Sequence, residues 1–497
     1  MRKSLTNKAT AVITMAAMLF SMAACGSESA PAADTATPEN TESTSATAEA
    51  STTEAAEETA EASDGYDPYE VITDADGNPI DLGGMEIVIR DWWSPEEPAE
   101  PANDYEETLQ EYRDWIQETY NFTIKSQAFG DWGSTPTDFV DYVTTGGDDN
   151  NYLFTLRDDP AITSAMANGL MYDLASLDCL DFSADKFQRN LLHEQYSKGS
   201  EIYAMFAGYS EARTGVYFNK RLLTDAGINP EDIYDMQADG TWTWDKFEEL
   251  LSKVQQDKDN DGTIDVYGLT LNEGNMTTEA VFSNGGSYID KDASGKFVYN
   301  LEAPETLEAL EWTVGIFDNY DAEVANPEGA EWDYYKEQFL NGQAAFLVED
   351  EYAGCPGNFL EDMQDEVGFV MFPKGPKMND YINVWTNNPV VIPGCYDADK
   401  AWKLAFAWNL YTNAPSAEYE DYNGYISTAR NGIFDERAVD ETIEMMTEKG
   451  TIAYHGMVPN LSLGSDFVWN IGPGAVVSEQ VEAIRDTWQS YVDEANK

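Results

Sequence analysis

Histidine is nearly absent: His193 and His455 are the only two in 497 residues. Standing alone, they argue against a histidine-based catalytic triad and against a histidine zinc site. Cysteine is almost as scarce. Beyond Cys25 there are Cys179, Cys355 and Cys395, too few to staple a chain of this length. A Cys355–Cys395 bridge is open on sequence grounds and would leave one thiol over. Basic residues number 28 against 92 acidic ones, a formal charge of −64. Nucleic acid and anionic lipid surfaces repel such a body. Also missing are the G-x-S-x-G elbow, H-E-x-x-H, the phosphate-binding G-x-x-x-x-G-K-[ST], and G-x-G-x-x-G after a strand. No internal repeat of the kind that builds adhesion modules is present.

What is present begins at the N-terminus. Arg2, Lys3 and Lys8 precede a short apolar stretch, Ala9 to Phe20, and then Met22-Ala-Ala-Cys25. A run this short with a basic flank reads as a secretory signal and not as a membrane span. Cysteine directly after two alanines resembles the lipobox of bacterial lipoproteins, which implies lipidation at Cys25, cleavage before it, and a lipid anchor as the chain's only membrane attachment. Residues 26–64 hold ten acidic and no basic residues among Ala, Ser, Thr and Pro. They lack the apolar area to offset chain entropy, so the expectation is a disordered tether. The remaining 65–497 is too long for one small core and is expected to form two lobes.

Strand and helix patterns alternate along the mature chain. Met85 to Arg90 reads as a strand, followed by a helix over about 105–120, a strand near 122–127, and a third strand at Tyr152 to Leu156. Apolar strands joined through helices imply right-handed crossovers and a mostly parallel sheet. Ligands bind beyond the carboxyl ends of such strands, which places Trp92, Trp93 and Asp158 on a site-facing rim. Asp158 has a second reading, as the cap of a helix starting at Pro160. Thr243 caps a helix whose Trp244, Phe247, Leu250, Leu251 and Val254 recur at core spacing. Trp402 and Trp408, on an Ala-rich helix, also read as buried.

The segment from Asp257 to Asp265 places Asp at positions 1, 3, 5 and 9 and Gly262 at 6, the first part of an EF-hand loop. Asp257, Asp259, Asp261, Thr263 and Asp265 are the expected ligands of a structural calcium ion. Position 12 is Gly268 where that motif has Glu, and the alternative is a polar turn between helix and strand.

Several segments converge on one family. Val216-Tyr-Phe-Asn-Lys-Arg-Leu-Leu-Thr-Asp-Ala-Gly-Ile228, followed by Thr241-Trp-Thr-Trp-Asp-Lys-Phe-Glu-Glu-Leu250, resembles the extracellular solute-binding proteins of carbohydrate importers, the maltose-binding-like group of family 1. So do Ala167 to Leu174, Phe339 to Phe346, Val367 to Pro376, and Val390 to Pro393 before the Ala401-Trp402 helix. The resemblance implies a type II periplasmic-binding-protein-like α/β fold: two lobes, each a mostly parallel sheet flanked by helices, joined by a hinge. Lobe 1 is expected over about 85–215 and 386–430, lobe 2 over about 216–385 and 431–497. It implies a monomer at the extracellular face of the cytoplasmic membrane. There it captures a carbohydrate, an oligosaccharide by preference, and delivers it to separate ABC permease and ATPase subunits. Implied ligand contacts are Trp92, Trp93, Asp158, Glu349, Tyr352, Trp385 and Trp469, with no catalytic residue. The alternative is a secreted glycoside hydrolase working through a carboxylate pair.

Overall fold

Strand β1 (Met85–Asp91) alternates half-exposed and buried side chains, with Ile87 and Ile89 inward, as a strand with one covered face requires. In a computed structural model that describes residues 66–96, 101–157 and 160–497, β1 pairs in parallel with β2 (Phe122–Ala128) and β3 (Asn151–Thr155). The signal, lipidation and tether expectations, and Asp158, lie outside the described residues. Helix α1 (Asp104–Tyr120) makes the crossover between β1 and β2. Asn103 caps it by accepting the Glu106 N–H, and Tyr112, Ile116 and Tyr120 face inward. They meet Leu404, Phe406 and Trp408 of α4 (Ala398–Tyr411) in the first core. Trp402 is only half-buried. Its indole stacks on Phe406 while its N–H donates to Asp178, so one of the two tryptophans expected inside sits at the surface.

A second sheet has its own core. Its order is β7 (Val367–Met371), β4 (Thr214–Asn219), β6 (Ala344–Asp350), β5 (Tyr267–Leu271). Helix α2 (Trp244–Val254) buries the five residues its spacing predicts, and Thr243 accepts the Lys246 N–H at its start. The β5–β6 pair is parallel, but β4 runs antiparallel to both its neighbours. This sheet is therefore mixed and not mostly parallel. The first sheet shows a milder form, since β9 (Val390–Val391) lies antiparallel to β3. Both reversed strands are the ones that arrive directly from the other lobe. No crossover helix turns the chain around before they pair.

Two crossings lie side by side, residues 209–213 entering β4 and residues 386–389 entering β9. Asparagine side chains join them: Asn383 accepts the Arg213 N–H at 3.1 Å, and Asn387 accepts the Glu211 N–H at 3.3 Å and donates to Ser210 Oγ at 2.9 Å. Just before the second crossing, β8 (Asn383–Trp385) pairs in parallel with β10 (Gly450–Ile452). The third crossing leaves α4 and ends at the helix Gly424–Arg430, whose Ala429 packs in the second core. The first lobe's return segment thus ends before 424 and not at 430. Met457, in turn, packs with Ile162 and Ala165 of the first lobe. Cys179, Cys355 and Cys395 are all free thiols. Among the described residues no helix is long and apolar enough to cross a membrane.

Candidate functional site

Strand β5 ends at Leu271, and Asn272 then caps α3 (Glu273–Ser283) by accepting the N–H groups of Gly274 and Asn275. That turn puts Gly274 and Asn275 at the carboxyl end of the second sheet, beside Thr214 at the start of β4 and Asp350 at the end of β6. These residues line a cavity of about 270 Å³, together with Glu279, Arg213, Trp385, His455 and Trp469, and with Gln195 from the first lobe. Gln195 reaches across, its side-chain amide donating to the Ala453 carbonyl at 3.2 Å.

The polar groups of this cavity are unevenly satisfied. Asp350 Oδ1 accepts from Thr214 Oγ1 at 2.7 Å and from Asn275 Nδ2 at 3.1 Å. Arg213 pairs with Glu211 at 2.8 Å and donates to the Thr386 carbonyl. Among the described residues, three buried atoms of the cavity lining have no partner: Arg213 Nε, Glu279 Oε2 and His455 Nδ1. Buried polar atoms are nearly always paired, so three orphans around one cavity mark a place where another molecule supplies the partners.

Electrostatics agree with that reading. Burial pushes Glu279 up to about 8, against one opposing hydrogen bond from the Val384 N–H. Burial holds His455 down near 4, so its imidazole is neutral at pH 7. Burial and the neighbouring Asp350 raise Glu349 to about 7, and burial does the same to Glu351. The cavity thus offers one carboxyl that holds its proton near neutrality, Glu279, with Glu349 and Glu351 behind it, one neutral imidazole and one guanidinium.

The expected contacts are sorted by this geometry. Trp469 lines the cavity with 66 % of its surface exposed. Its indole lies against Gly464, where a Cβ would come within 2.8 Å of the ring. Trp385 lines the cavity by an edge only. It is buried, its N–H donates to the Met446 carbonyl at 3.0 Å, and its ring covers Gly450. Glu349 is buried behind the cavity, accepting from Tyr335 Oη at 2.5 Å and Asn275 Nδ2 at 2.8 Å. It positions Asn275, and its neighbour Asp350 faces the cavity. Tyr352 is exposed beyond β6 and does not line the cavity. Trp92 and Trp93 stand beyond β1, ring to ring at 4.6 Å, with Trp93 exposed, and neither lines the cavity. Arg213, Asn275, Glu279, Asp350 and His455 escaped the sequence reading. Glu279 alone left a trace there, as the single acid on the apolar Met276–Phe282 stretch.

Away from the cleft, the loop at 257–265 brings ligand oxygens of Asp257, Asp259 and Asp265 within 4.8 Å of one another. Asp261 and Thr263 are not in this group. Asp261 Oδ1 instead accepts the Thr263 N–H at 2.7 Å.

Residues 185–410 match the family model described as bacterial extracellular solute-binding protein. Curated protein sequences give no match. Among solved structures, the chain resembles the cyclic α-maltosyl-1,6-maltose binding protein from Arthrobacter globiformis, at 14 % identity over 83 % of this chain and 100 % of that one, TM-score 0.57. It resembles the ABC substrate-binding protein Lmo0181 from Listeria monocytogenes, in complex with cycloalternan, at 16 % identity over 82 % and 99 %, TM-score 0.54. UgpB from Mycobacterium tuberculosis, in complex with glycerophosphocholine, follows at 16 % identity over 78 % and 95 %, TM-score 0.55. At such identities the likeness fixes the fold, two α/β lobes of the type II binding-protein class. The sequence match over 185–410 and the shared fold make this chain similar to the bacterial extracellular solute-binding proteins.

Proposed function

We propose that the chain captures a carbohydrate between its lobes and presents it to the permease of an ABC importer, without making or breaking a bond. The observation that carries this reading is the trio of orphaned atoms, Arg213 Nε, Glu279 Oε2 and His455 Nδ1, around a cavity edged by the exposed Trp469. A sugar hydroxyl both donates and accepts, and an apolar sugar face suits an indole. Two of the structural relatives, the one in complex with cycloalternan and the cyclic α-maltosyl-1,6-maltose binding protein, support the same class. Nothing in the cavity favours the hydrolase alternative. Glu279 and Asp350, the two carboxylates lining it, each already hold a protein donor.

The test is calorimetry of the chain lacking residues 1–25 against a panel of mono- and oligosaccharides, with chromatography of the same mixtures. Saturable binding with unchanged sugar is expected. Heat from no sugar, or a new product peak, would overturn the reading. Anchoring through lipidated Cys25 is part of the proposal, and Cys25→Ala should shift the protein from membrane to medium; retention on the membrane counts against it. Calcium at Asp257, Asp259 and Asp265 is proposed as a structural ion that stiffens the second lobe.

A further inference from the structure

A second cavity of about 690 Å³ shares no lining residue with the first. Its walls are the start of α1, the helical turn Asp185–Gln188 and the third crossing at 412–425, with Tyr66 at one side. The volume falls in the range of small-molecule sites, roughly 300–1,000 Å³.

The lining decides what would fit. Three cations border the cavity, and each is engaged by the protein. Lys186 Nζ donates to the Asn409 carbonyl and Asn413 Oδ1 at 2.7 Å and to Thr412 Oγ1 at 3.2 Å, which uses all three ammonium hydrogens. Arg189 donates to the Glu420 carbonyl at 2.8 Å and pairs with Asp421. Arg113 donates to the Tyr411 carbonyl at 3.3 Å and lies 3.7 Å over that ring. Asp185, Glu420 and Asp421 border the same space, so three carboxylates balance the three cations. The cavity is not an anion trap.

Six tyrosines line the cavity; Tyr66 donates to the Ala414 carbonyl at 2.6 Å, while four others are unengaged. Tyr105, Tyr209, Tyr422 and Tyr425 line the cavity, and none of their hydroxyls has a hydrogen-bond partner among the described residues. Tyr105 and Tyr422 stack at 3.6 Å, fixing one broad aromatic wall. Four unengaged phenols that donate and accept, on apolar rings within a charge-balanced wall, match a neutral ring bearing several hydroxyls.

We propose that this cavity is a second ligand site, for a neutral polyhydroxylated molecule of one or a few sugar rings, filled independently of the cleft. The experiment follows hydrogen exchange across 412–425 in the mature chain with glucose, maltose, maltotetraose or inositol, and with glucuronate or a polyproline peptide as contrasts. In Trp469→Ala, where the cleft is impaired, at least one neutral probe should slow exchange there threefold or more. Tyr209→Ala and Tyr422→Phe should lose that protection while melting and titrating at the cleft like the parent. Protection by none of the neutral probes, or by glucuronate or the peptide alone, would overturn the proposal, as would protection that vanishes in Trp469→Ala. If 412–425 is protected but the cleft binds no sugar, the cleft reading fails and this one stands.

Discussion

Trp469 holds its ring at the cavity edge by resting on Gly464, and most of its surface is exposed. Little folding free energy depends on an exposed ring, whereas a stacked sugar face does. Trp469→Ala should weaken sugar affinity at least tenfold, about 1.4 kcal/mol, with the melting temperature of the ligand-free protein nearly unchanged. Equal affinity in the variant refutes the contact. Glu279 gives a second prediction, through pH. Its folded value, about 8, lies above that of an unfolded glutamate. The folded state therefore binds the extra proton between those two values, and stability from this group is lost as pH rises toward 8. Glu279→Gln removes that slope. The variant should melt relatively higher than the parent at pH 8 than at pH 5, and parallel melting curves across that range would refute the assignment. The difference between the two proteins isolates this residue, because Lys186 and His455, whose values are lowered, act with the opposite sign. Why such residues stayed hidden in the sequence is physical. A tryptophan near a family motif is visible by type and place, but Glu279 matters only because a helix drives it into a closed space, and no spacing rule reports burial.

At the scale of elements, legibility follows range. Helix α2 was readable to the residue because its cap, Thr243, and its five apolar positions are local. β1, β2 and β3 were readable because short apolar or alternating runs separated by helical patterns mark strands joined by crossovers. The reversed direction of β4 was not, since pairing sense depends on where a crossing strand enters and not on its own composition. The boundary before Gly424 was missed for the same reason: Ala429 joins the second core through contacts distant in sequence. The loop before β5 is an element with its own test. Three aspartates with converging oxygens repel one another, and a bound divalent cation would relieve that repulsion. Calcium should stabilise the fold by RT ln(1 + [Ca]/Kd), about 2.7 kcal/mol at a hundredfold excess over Kd, and so raise the melting temperature with calcium concentration. Chelation should reverse the gain, and Asp257→Asn should abolish it. A parent whose melting ignores both calcium and chelator has only a polar turn there.

For the whole molecule, the free energy of closure sets affinity. Two lobes contribute to the site, Gln195 from one and the rest of the named lining from the other, and the crossings that join them are tied by asparagine side chains and not by a continuous ladder. Few backbone bonds must break when such a hinge bends, so open and closed forms differ by little and a ligand can shift their populations. Charge works against closure. Acidic residues outnumber basic ones in both lobes, and bringing two acidic bodies together costs repulsion that salt screens over a Debye length of about 10 Å at 0.1 M. A neutral sugar has no charge of its own for salt to screen, so its affinity should rise as sodium chloride is added, the reverse of what a cationic ligand would show. Scattering from the same samples should show the radius of gyration falling on sugar addition toward about 22 Å, the value for a compact body the size of residues 65–497. Profiles that do not change with a sugar shown by calorimetry to bind would mean that capture happens on a rigid surface, and the salt dependence should then vanish with the closure that produces it.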